Sequence, residues 1–308
     1  MAVKEYYSSN DFSKFKVKLI PKGKTVKVRR IKEGHIPEVT EFNFAIVEFG
    51  NFFDYVKDKT VPVSQRCLKS LERFRILAYE YPRVVGQAME KITRLANPLE
   101  AQKHKKSENR FQYQKALGEV CSIMAQEAWR EGIDGTLGFL MERGALLTGA
   151  FYNYPSDYVA RIVAKRLDYE NGEFGLGLSD FRPPRNLKRF RKLHIQEDCI
   201  ATGDSIAGSI LVLKNKGIVF DEVQIDAVAA TQKGVEFIQR YLKYLGIKKV
   251  MVKVGGLCFR LGEHFYLRRT KEEGYKRDEF FVGDMGEWSR KLPVSYDKKA
   301  WWNKNRSD

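Results

Sequence analysis

The chain has 308 residues, is 43% hydrophobic and 31% charged, and has a mean hydropathy of −0.44. No apolar stretch approaches the roughly 20 residues that span a bilayer, and the first residues lack the apolar region of a secretory signal. We therefore expect a cytoplasmic protein with no membrane partner, and with enough core for one large domain or two ordinary ones.

Charge is the strongest signal in the composition. The formal net charge is +16, and it is uneven along the chain. Residues 1–110 hold 23 lysines and arginines against 13 acidic residues, whereas residues 111–308 hold 32 against 26. A basic excess favours polyanionic partners such as phosphorylated substrates, RNA or DNA, although a solvated lysine-rich surface has the same composition.

The cysteines and histidines offer no metal site. The four cysteines form no C-x-x-C pair, and the four histidines are scattered as well, so no zinc spacing is present. We expect no metal ligand among the side chains. The thiols are expected to pack as small apolar groups in a reducing compartment, and they belong to Cys67, Cys121, Cys199 and Cys258.

Residues 1–104 are predicted to form a small basic α+β domain of unknown role. Apolar and basic residues alternate over 15–31, which predicts a β-hairpin, and 41–49 predict a further strand. The apolar spacing becomes helical over 64–97, where Pro82 separates two predicted helices.

Residues 105–308 are predicted to form a second domain after a polar linker at 100–110. Apolar runs alternate there with helical stretches, which predicts an α/β fold with a mainly parallel sheet flanked by helices. Ligands of such sheets bind at the carboxyl ends of the strands. The predicted helices are 111–129, 205–216 and 233–245, and the predicted strands are 136–141, 158–165, 193–196, 223–229 and 249–254.

A strand predicted to end near residue 196 is followed by two adjacent carboxylates, Glu197 and Asp198. Such a pair can accept hydrogen bonds from two vicinal ribose hydroxyls. The backbone N–H groups from Ala201 to Ser205 come next, at the start of a predicted helix, where orphan donors and the helix dipole favour a phosphate. The segment therefore predicts a site for a ribose 5-phosphate.

The loop between this strand and this helix has the residue types that a phosphate site needs. Thr202 and Ser205 add hydroxyl donors, and Gly203 lets the backbone approach a ligand closely. The alternative is a plain strand-to-helix turn in which Asp198 or Thr202 caps the helix.

Two acidic residues followed after two positions by Ala-Thr-Gly-x-Ser resemble the phosphoribosyl pyrophosphate (PRPP) signature of type I phosphoribosyltransferases. Other segments resemble the uracil phosphoribosyltransferases in the same order. They are the helix at 115–129, the strand and turn at 139–151, the strand at 158–166 with a glycine-bearing arm at 167–192, the strand and helix at 223–238, and the loop at 280–288. The resemblance covers about 105–295 and does not extend to 1–104.

The resemblance implies a type I phosphoribosyltransferase-like fold and transfer of a phosphoribosyl group from PRPP to uracil or a related pyrimidine, with release of pyrophosphate. It also implies Mg²⁺ bound through PRPP, a homodimer, and closure of the arm at 167–192 over the site. The implied catalytic residues are Arg143, Glu197 and Asp198. The implied PRPP ligands are Arg143, Gly144, Lys165, Arg166, Glu197, Asp198, Ala201, Thr202, Gly203, Asp204 and Ser205, and the implied base-binding residues are Phe281, Val282, Gly283, Asp284, Met285 and Gly286.

The sequence departs from the family pattern at three places. His194 and Gln196 make the strand before the signature alternate in polarity, so we expect either satisfied core side chains or a wetter sheet face. Asp204 stands where the family often has glycine, which puts a carboxylate beside the expected phosphate; the alternatives are that it faces solvent or joins the metal shell. Glu287 and Trp288 replace the Asp-Arg of the family's closing loop, which leaves the acceptor base open.

Two other functions remain as alternatives. One is a non-catalytic regulator that senses PRPP or a nucleotide and binds RNA or DNA through the basic N-terminal region. Basic residues at 22–30 and the basic and aromatic residues at 298–306 motivate this alternative, because cations contact phosphates while aromatic rings stack on unpaired bases. The other is a transferase that uses a different acceptor.

Overall fold

The computed structural model of the chain describes residues 12–32, 36–50, 74–96, 106–132, 134–141, 159–168, 174–182, 189–258, 260–261, 267–269 and 279–281. Its strands are β1 Lys16–Leu19, β2 Val26–Lys32, β3 Ile36–Phe42, β4 Ala45–Gly50, β5 Phe74–Ile76, β6 Thr136–Met141, β7 Val159–Asp168, β8 Phe174–Arg182, β9 Arg189–Ile200, β10 Val219–Thr231, β11 Lys249–Cys258, β12 Arg260–Leu261, β13 Leu267–Arg269 and β14 Glu279–Phe281. Its helices are α1 Leu77–Glu80, α2 Gln87–Ala96, α3 Lys106–Arg130, α4 Asp204–Asn215 and α5 Gln232–Tyr244, with a 3-10 turn at Phe12–Lys14 and a π-helical turn at Pro82–Gly86.

Nine of the described strands form one sheet in the order β1-β4-β8-β7-β6-β9-β10-β11-β5. The six strands from β7 to β5 are parallel, whereas β8, β4 and β1 extend the β7 edge in antiparallel pairs. The chain order reverses between β6 and β9, as in doubly wound sheets. The predicted α/β class, a mainly parallel sheet flanked by helices, is confirmed.

Helices cover both faces of the sheet, because the central strands of a parallel sheet must be buried on each side. α4 and α5 pack on one face over a large apolar cluster, and α2 and α3 pack on the other over a smaller one. On the second face, α3 approaches the sheet closely at Gly255 of β11, where a Cβ would lie 2.8 Å from Val120 of α3. Among the helices described here, none is long and apolar enough to cross a bilayer.

The N-terminal strands join this sheet at both edges. β1 pairs with β4 and β4 with β8 at one edge, while β5 pairs with β11 at the other. The predicted hairpin over 15–31 is wrong, because β2 pairs with β3 in a separate two-stranded sheet and not with β1. The proposed boundary at 104/105 lies outside the described residues, and strands from both sides of it share one sheet.

Local apolar spacing mispredicted parts of the region before α3. The interval predicted as helical contains the strand β5, which is a strand because its backbone pairs with β11, a partner far along the chain. Helix α3 begins at Lys106, inside the stretch predicted as a linker. In contrast, α4 and α5 begin and end within one residue of their predicted limits.

The predicted arm at 167–192 contains a sheet strand. β8 pairs with β7 on one side and with β4 on the other, so residues 174–182 do not form the expected closing arm. Gly177, one of the glycines of the predicted arm, is buried in β8, and a Cβ there would lie 2.2 Å from the ring of Phe42. Residues 169–173 and 183–188 lie outside the described residues.

Candidate functional site

Two neighbouring strands end where the chain order of the sheet reverses. β6 and β9 are parallel partners with Leu140 opposite Gln196, and β6 ends one residue later at Met141. In open α/β sheets, ligands bind in the crevice at such a reversal, beyond the carboxyl ends of the strands. The segments that follow β6 and β9 therefore start at the edge of the sheet where a ligand is expected.

The acidic pair lies inside β9 and not after it. The strand predicted to end at 196 continues to Ile200, so Glu197 and Asp198 are strand residues. Both side chains are buried, with 5% and 2% exposed. The Asp198 N–H donates to Glu197 Oε1 at 3.1 Å. Because successive strand residues face opposite sides of a sheet, the two carboxylates flank the end of β9 from its two sides.

Gly203 forms the bend that leads from β9 into α4. Its φ of +82° lies in the left-handed region that favours glycine, and a Cβ there would lie 2.7 Å from Ile238. The first backbone bond of α4 runs from the Ala207 N–H to the Gly203 oxygen at 3.0 Å. The N–H groups of Ser205 and Ile206 precede that donor, and Gly203 supplies no side-chain cap. This geometry presents helix N-terminal donors at the bend.

The two polar side chains of the loop contact each other. Thr202 Oγ1 donates to Oδ1 of Asp204, and both residues are buried. The expectation that Asp204 faces solvent is therefore wrong. Ala201 and Ser205 are only half-buried, so they are more exposed than the three residues between them.

A second strand-to-helix junction supports the loop. Thr231 ends β10 and caps α5, since its Oγ1 accepts a hydrogen bond from the Gly234 N–H at 3.0 Å. The same hydroxyl donates to the carbonyl oxygen of Ala201. A Cβ at Gly234 would lie 2.6 Å from that oxygen. Sequence reasoning missed Thr231 as a site residue, because Thr-x-x-Gly indicates only a helix start until β9 and β10 are known to be neighbours.

Below the loop, the sheet face that α3 covers is polar. His194 Nε2 lies 2.7 Å from Asp226 Oδ2, and the Gln224 amide donates to the other oxygen of that carboxylate at 3.3 Å. His194 is thus a satisfied core residue, which was one of the two predicted alternatives. The Gln196 amide is also buried, and neither of its polar atoms has a hydrogen-bond partner among the described residues.

Ionised groups in this layer shift one another's pKa values. Burial works against the charged form of Asp226, but attraction to His194 and the hydrogen bond with it outweigh burial, so the Asp226 pKa is lowered. Burial also lowers the pKa of Lys192, whose Nζ donates to Gln224 at 3.1 Å.

Helix α3 is tied to the same face by buried ion pairs. Lys253 of β11 has no exposed surface and pairs with Glu127 at 3.4 Å and with Glu131. Arg75 of β5 donates to Glu127 through both terminal guanidinium nitrogens, and the Tyr81 hydroxyl donates to Glu127 at 2.8 Å. These contacts fix the position of α3 over β5 and β11.

The structure brings together the predicted residues from 197 to 205, and it describes three other predicted residues in other elements. Lys165, which is half-buried, and Arg166 belong to β7, two positions from β9 in the sheet. Phe281 ends β14, a strand of a separate three-stranded sheet that lies against α2. The remaining predicted residues lie outside the described residues: Arg143, Gly144, Val282, Gly283, Asp284, Met285 and Gly286.

The bend after β9 can bind an anion next to hydroxyl groups. Its helix N-terminal N–H groups suit an anion, and its carboxylates are acceptors for hydroxyl donors. No set of three His, Cys, Asp or Glu side chains that could hold a metal ion occurs within the part of the chain that the structure describes.

No family model matches the chain, and no curated protein matches it in sequence. Several solved structures are similar to it. The AQ2163 protein from Aquifex aeolicus is 17% identical with a TM-score of 0.45, over 63% of this chain and 91% of that one. An adenine phosphoribosyltransferase from Thermoanaerobacter pseudethanolicus is 19% identical with a TM-score of 0.30, over 47% and 85%. An orotate phosphoribosyltransferase from Mycobacterium tuberculosis, solved with inorganic phosphate, is 12% identical with a TM-score of 0.34, over 58% and 91%. These TM-scores are below 0.5, so the similarities do not identify a function.

Proposed function

We propose that this chain binds PRPP at the bend after β9 and transfers its phosphoribosyl group to a nucleobase, with release of pyrophosphate. One observation carries the proposal. An acidic pair lies within the last four residues of a parallel strand at the reversal of the sheet, and a left-handed glycine then leads into a helix N-terminus. Carboxylates suit the hydroxyls of a ribose and the helix N-terminus suits its 5-phosphate, so one ligand fits both parts.

In the proposed reaction, the bond between the anomeric carbon and the pyrophosphate oxygen breaks, and that carbon bonds to a ring nitrogen of the base. The ring proton of the base passes to water, and the electron pair of the broken bond leaves with pyrophosphate. Glu197 and Asp198 hold the ribose hydroxyls, while the N–H groups at 201–205 hold the 5-phosphate. The protein thus contributes positioning and charge stabilisation and forms no covalent bond to the substrate.

For the leaving group we propose Arg143 as the main cation, with Gly144 beside it. Arg143 comes two residues after the end of β6, and β6 is the neighbour of β9. A permanently charged planar guanidinium can bind two phosphate oxygens at once. Lys165 and Arg166 are secondary candidates, because their strand lies one position further from β9.

The residues at the bend fit Mg²⁺ carried by PRPP. Glu197 and Asp198 offer hard oxygen donors, the ligand type that Mg²⁺ takes alongside phosphate oxygens and water. When bound, Mg²⁺ supplies neutralising charge on the pyrophosphate. The part of the two carboxylates is to hold the ribose end of the substrate.

As the acceptor we propose uracil or a related pyrimidine, bound by residues 281–286. A pyrimidine needs paired donors and acceptors, and a backbone containing Gly283 and Gly286 can bring its N–H and C=O groups close to the ring. Another nucleobase is the alternative, since Glu287 and Trp288 differ from the pattern of the uracil enzymes.

Access to the acidic pair requires movement of the chain. Glu197 and Asp198 are covered, while Ala201 and Ser205 remain half-buried. A sugar whose phosphate lies on Ser205 has to reach carboxylates that are only 5% and 2% exposed in this structure. We therefore expect PRPP binding to be accompanied by a conformational change.

The test is to mix the protein with PRPP, Mg²⁺ and each common nucleobase and to measure pyrophosphate release. We expect release with uracil, and a loss of about a hundredfold in Asp198→Asn, because the variant weakens the hold on the ribose. The matched control is Asp221→Asn in β10, which changes the same charge at a partly exposed residue and should retain full activity.

Two results would contradict the proposal. PRPP binding without release for any base would exclude transfer and favour the PRPP-sensing alternative. Absence of PRPP binding, measured by calorimetry, would exclude the site itself.

A further inference from the structure

Asp204 belongs to the loop to which the proposed function assigns the ligand phosphate. Asp204 is the first residue of α4, and only 3% of it is exposed. It accepts a hydrogen bond from Thr202 Oγ1, a hydroxyl that the phosphate would also need. Thr202 is 4% exposed, so this contact is made inside the protein and not at its surface.

We propose that Asp204 is an internal competitor of the ligand phosphate and sets the affinity of the loop for phosphorylated ligands. The proposal rests on the proposed function, because it concerns the same loop. It goes further by assigning a role to a residue whose charge has the wrong sign for a phosphate site.

The first reason is electrostatic. The N-terminus of α4 carries the positive end of the helix dipole, which stabilises one nearby negative charge. In this structure the Asp204 carboxylate already lies in the first turn of that helix. A phosphate that binds to the Ser205 N–H therefore meets a helix end whose charge is partly compensated and a buried carboxylate that repels it.

The second reason concerns the hydroxyl donor. A threonine hydroxyl has one proton to donate, and in this structure Thr202 donates it to Asp204. Binding of a phosphate through Thr202 requires that this bond break and the hydroxyl turn to the ligand. The Gly203 bend cannot supply a replacement donor from a side chain, so the Thr202–Asp204 bond opposes ligand binding directly.

The experiment measures binding of ribose 5-phosphate and of inorganic phosphate by calorimetry in the full-length protein. Asp204→Asn keeps the size of the side chain and removes its charge, and we expect it to bind ribose 5-phosphate about tenfold more tightly than the wild type. Asp221→Asn is the control for net charge, and we expect its affinity to equal that of the wild type. Asp204→Ser is a second neutral variant, used if the asparagine variant fails to fold, since serine also suits a helix start.

The outcomes separate this inference from the proposed function. Tighter binding in the Asp204 variants but not in Asp221→Asn supports the inference. Binding by the wild type with equal or weaker binding in the Asp204 variants overturns it and leaves the proposed function standing. An equal increase in affinity in Asp221→Asn overturns it as well, because the tighter binding would then result from the change in net charge. Absence of binding in every protein overturns both.

Discussion

His194 Nε2 lies 2.7 Å from Oδ2 of Asp226, and the exposed fractions of the two side chains are 1% and 0%. The pair joins β9 and β10, the two strands that carry the loop and its Thr231 support. Burial opposes ionisation of Asp226, yet its pKa is lowered by attraction to His194 and by their hydrogen bond. The stability of the sheet below the site therefore depends on the charge of Asp226.

Asp226→Asn is expected to lower the free energy of unfolding by about 3 kcal/mol at pH 7, because it removes one partner of a buried pair. The folded-state pKa of Asp226 is depressed, so its contribution is fully present above the unfolded-state value of about 3.9. It is lost as the pH falls through the lower folded-state pKa. Urea denaturation at pH 7 and at pH 3 should show that the difference between wild type and variant shrinks in acid.

Asp221→Asn is the control for this prediction, because Asp221 lies in the same strand and its side chain is 41% exposed. We expect it to change the free energy of unfolding by less than about 0.5 kcal/mol. A difference between wild type and Asp226→Asn that stays constant from pH 7 to pH 3 would contradict the linkage.

Glu127 of α3 provides a second test of the polar layer. Burial opposes its ionisation, but hydrogen bonds from Arg75 and Tyr81 outweigh burial and lower its pKa to about 2. Glu127→Gln is expected to lower the free energy of unfolding by about 3 kcal/mol at pH 7. The contribution is present above the unfolded-state pKa of about 4.3 and is lost as the pH falls towards the folded-state value.

The control for Glu127 is Glu119→Gln, which changes the same charge at a half-buried residue of the same helix. It is expected to change stability by less than about 0.5 kcal/mol. Stability is measured by thermal and urea unfolding. If the two variants lost the same free energy of unfolding, the ion pairs under α3 would contribute no stability beyond that of a negative charge on the helix.

Gly177 tests the packing of β8 against the N-terminal strands. A Cβ at this position would lie 2.2 Å from the Phe42 ring, so Gly177→Ala is expected to cost about 2 kcal/mol through overpacking. Phe42→Leu removes part of that ring. We therefore measure the free energy of unfolding of both single variants and of the double variant in a double-mutant cycle. The decrease in the double variant is expected to be smaller than the sum of the two single decreases by at least about 1 kcal/mol.

Gly118→Ala is the glycine control for that cycle. Gly118 lies in α3, and an added Cβ would meet nothing within 4 Å. Because alanine has a higher helix propensity than glycine, we expect this variant to raise the free energy of unfolding by up to about 1 kcal/mol. If Gly177→Ala also raised the free energy of unfolding, Phe42 would not pack against β8 in solution.

Thr231 tests how firmly the loop is held. Thr231→Val removes the hydroxyl that caps α5 and contacts Ala201, and we expect a loss of about 1 to 2 kcal/mol in the free energy of unfolding. Hydrogen exchange at the amides of 201–205 should become faster, because the loop loses a side-chain anchor. Thr231→Ser keeps the hydroxyl and should behave like the wild type; faster exchange in both variants would exclude the anchoring role.

Residue pattern alone was sufficient for the succession of strands and helices from β9 to β11. The strand patterns of β9, β10 and β11 and the helical spacing of α4 and α5 are local properties, so each element could be predicted without its neighbours. The length of β9 was not predicted, since the polar residues that follow 196 hid its continuation to Ile200. The bend at Gly203 was predictable for the same reason, since a left-handed turn between a strand and a helix favours glycine.

Partners that lie far apart in the sequence were decided only by the tertiary structure. β1 pairs with β4 and β5 pairs with β11 because a strand takes its hydrogen-bond partner from whichever neighbour the fold supplies, and local periodicity does not encode that choice. The burial of Asp204 and the contact of Thr231 with Ala201 arise in the same way. Whether a polar side chain is buried or exposed depends on what packs over it, and the chain that packs over the bend comes from other elements.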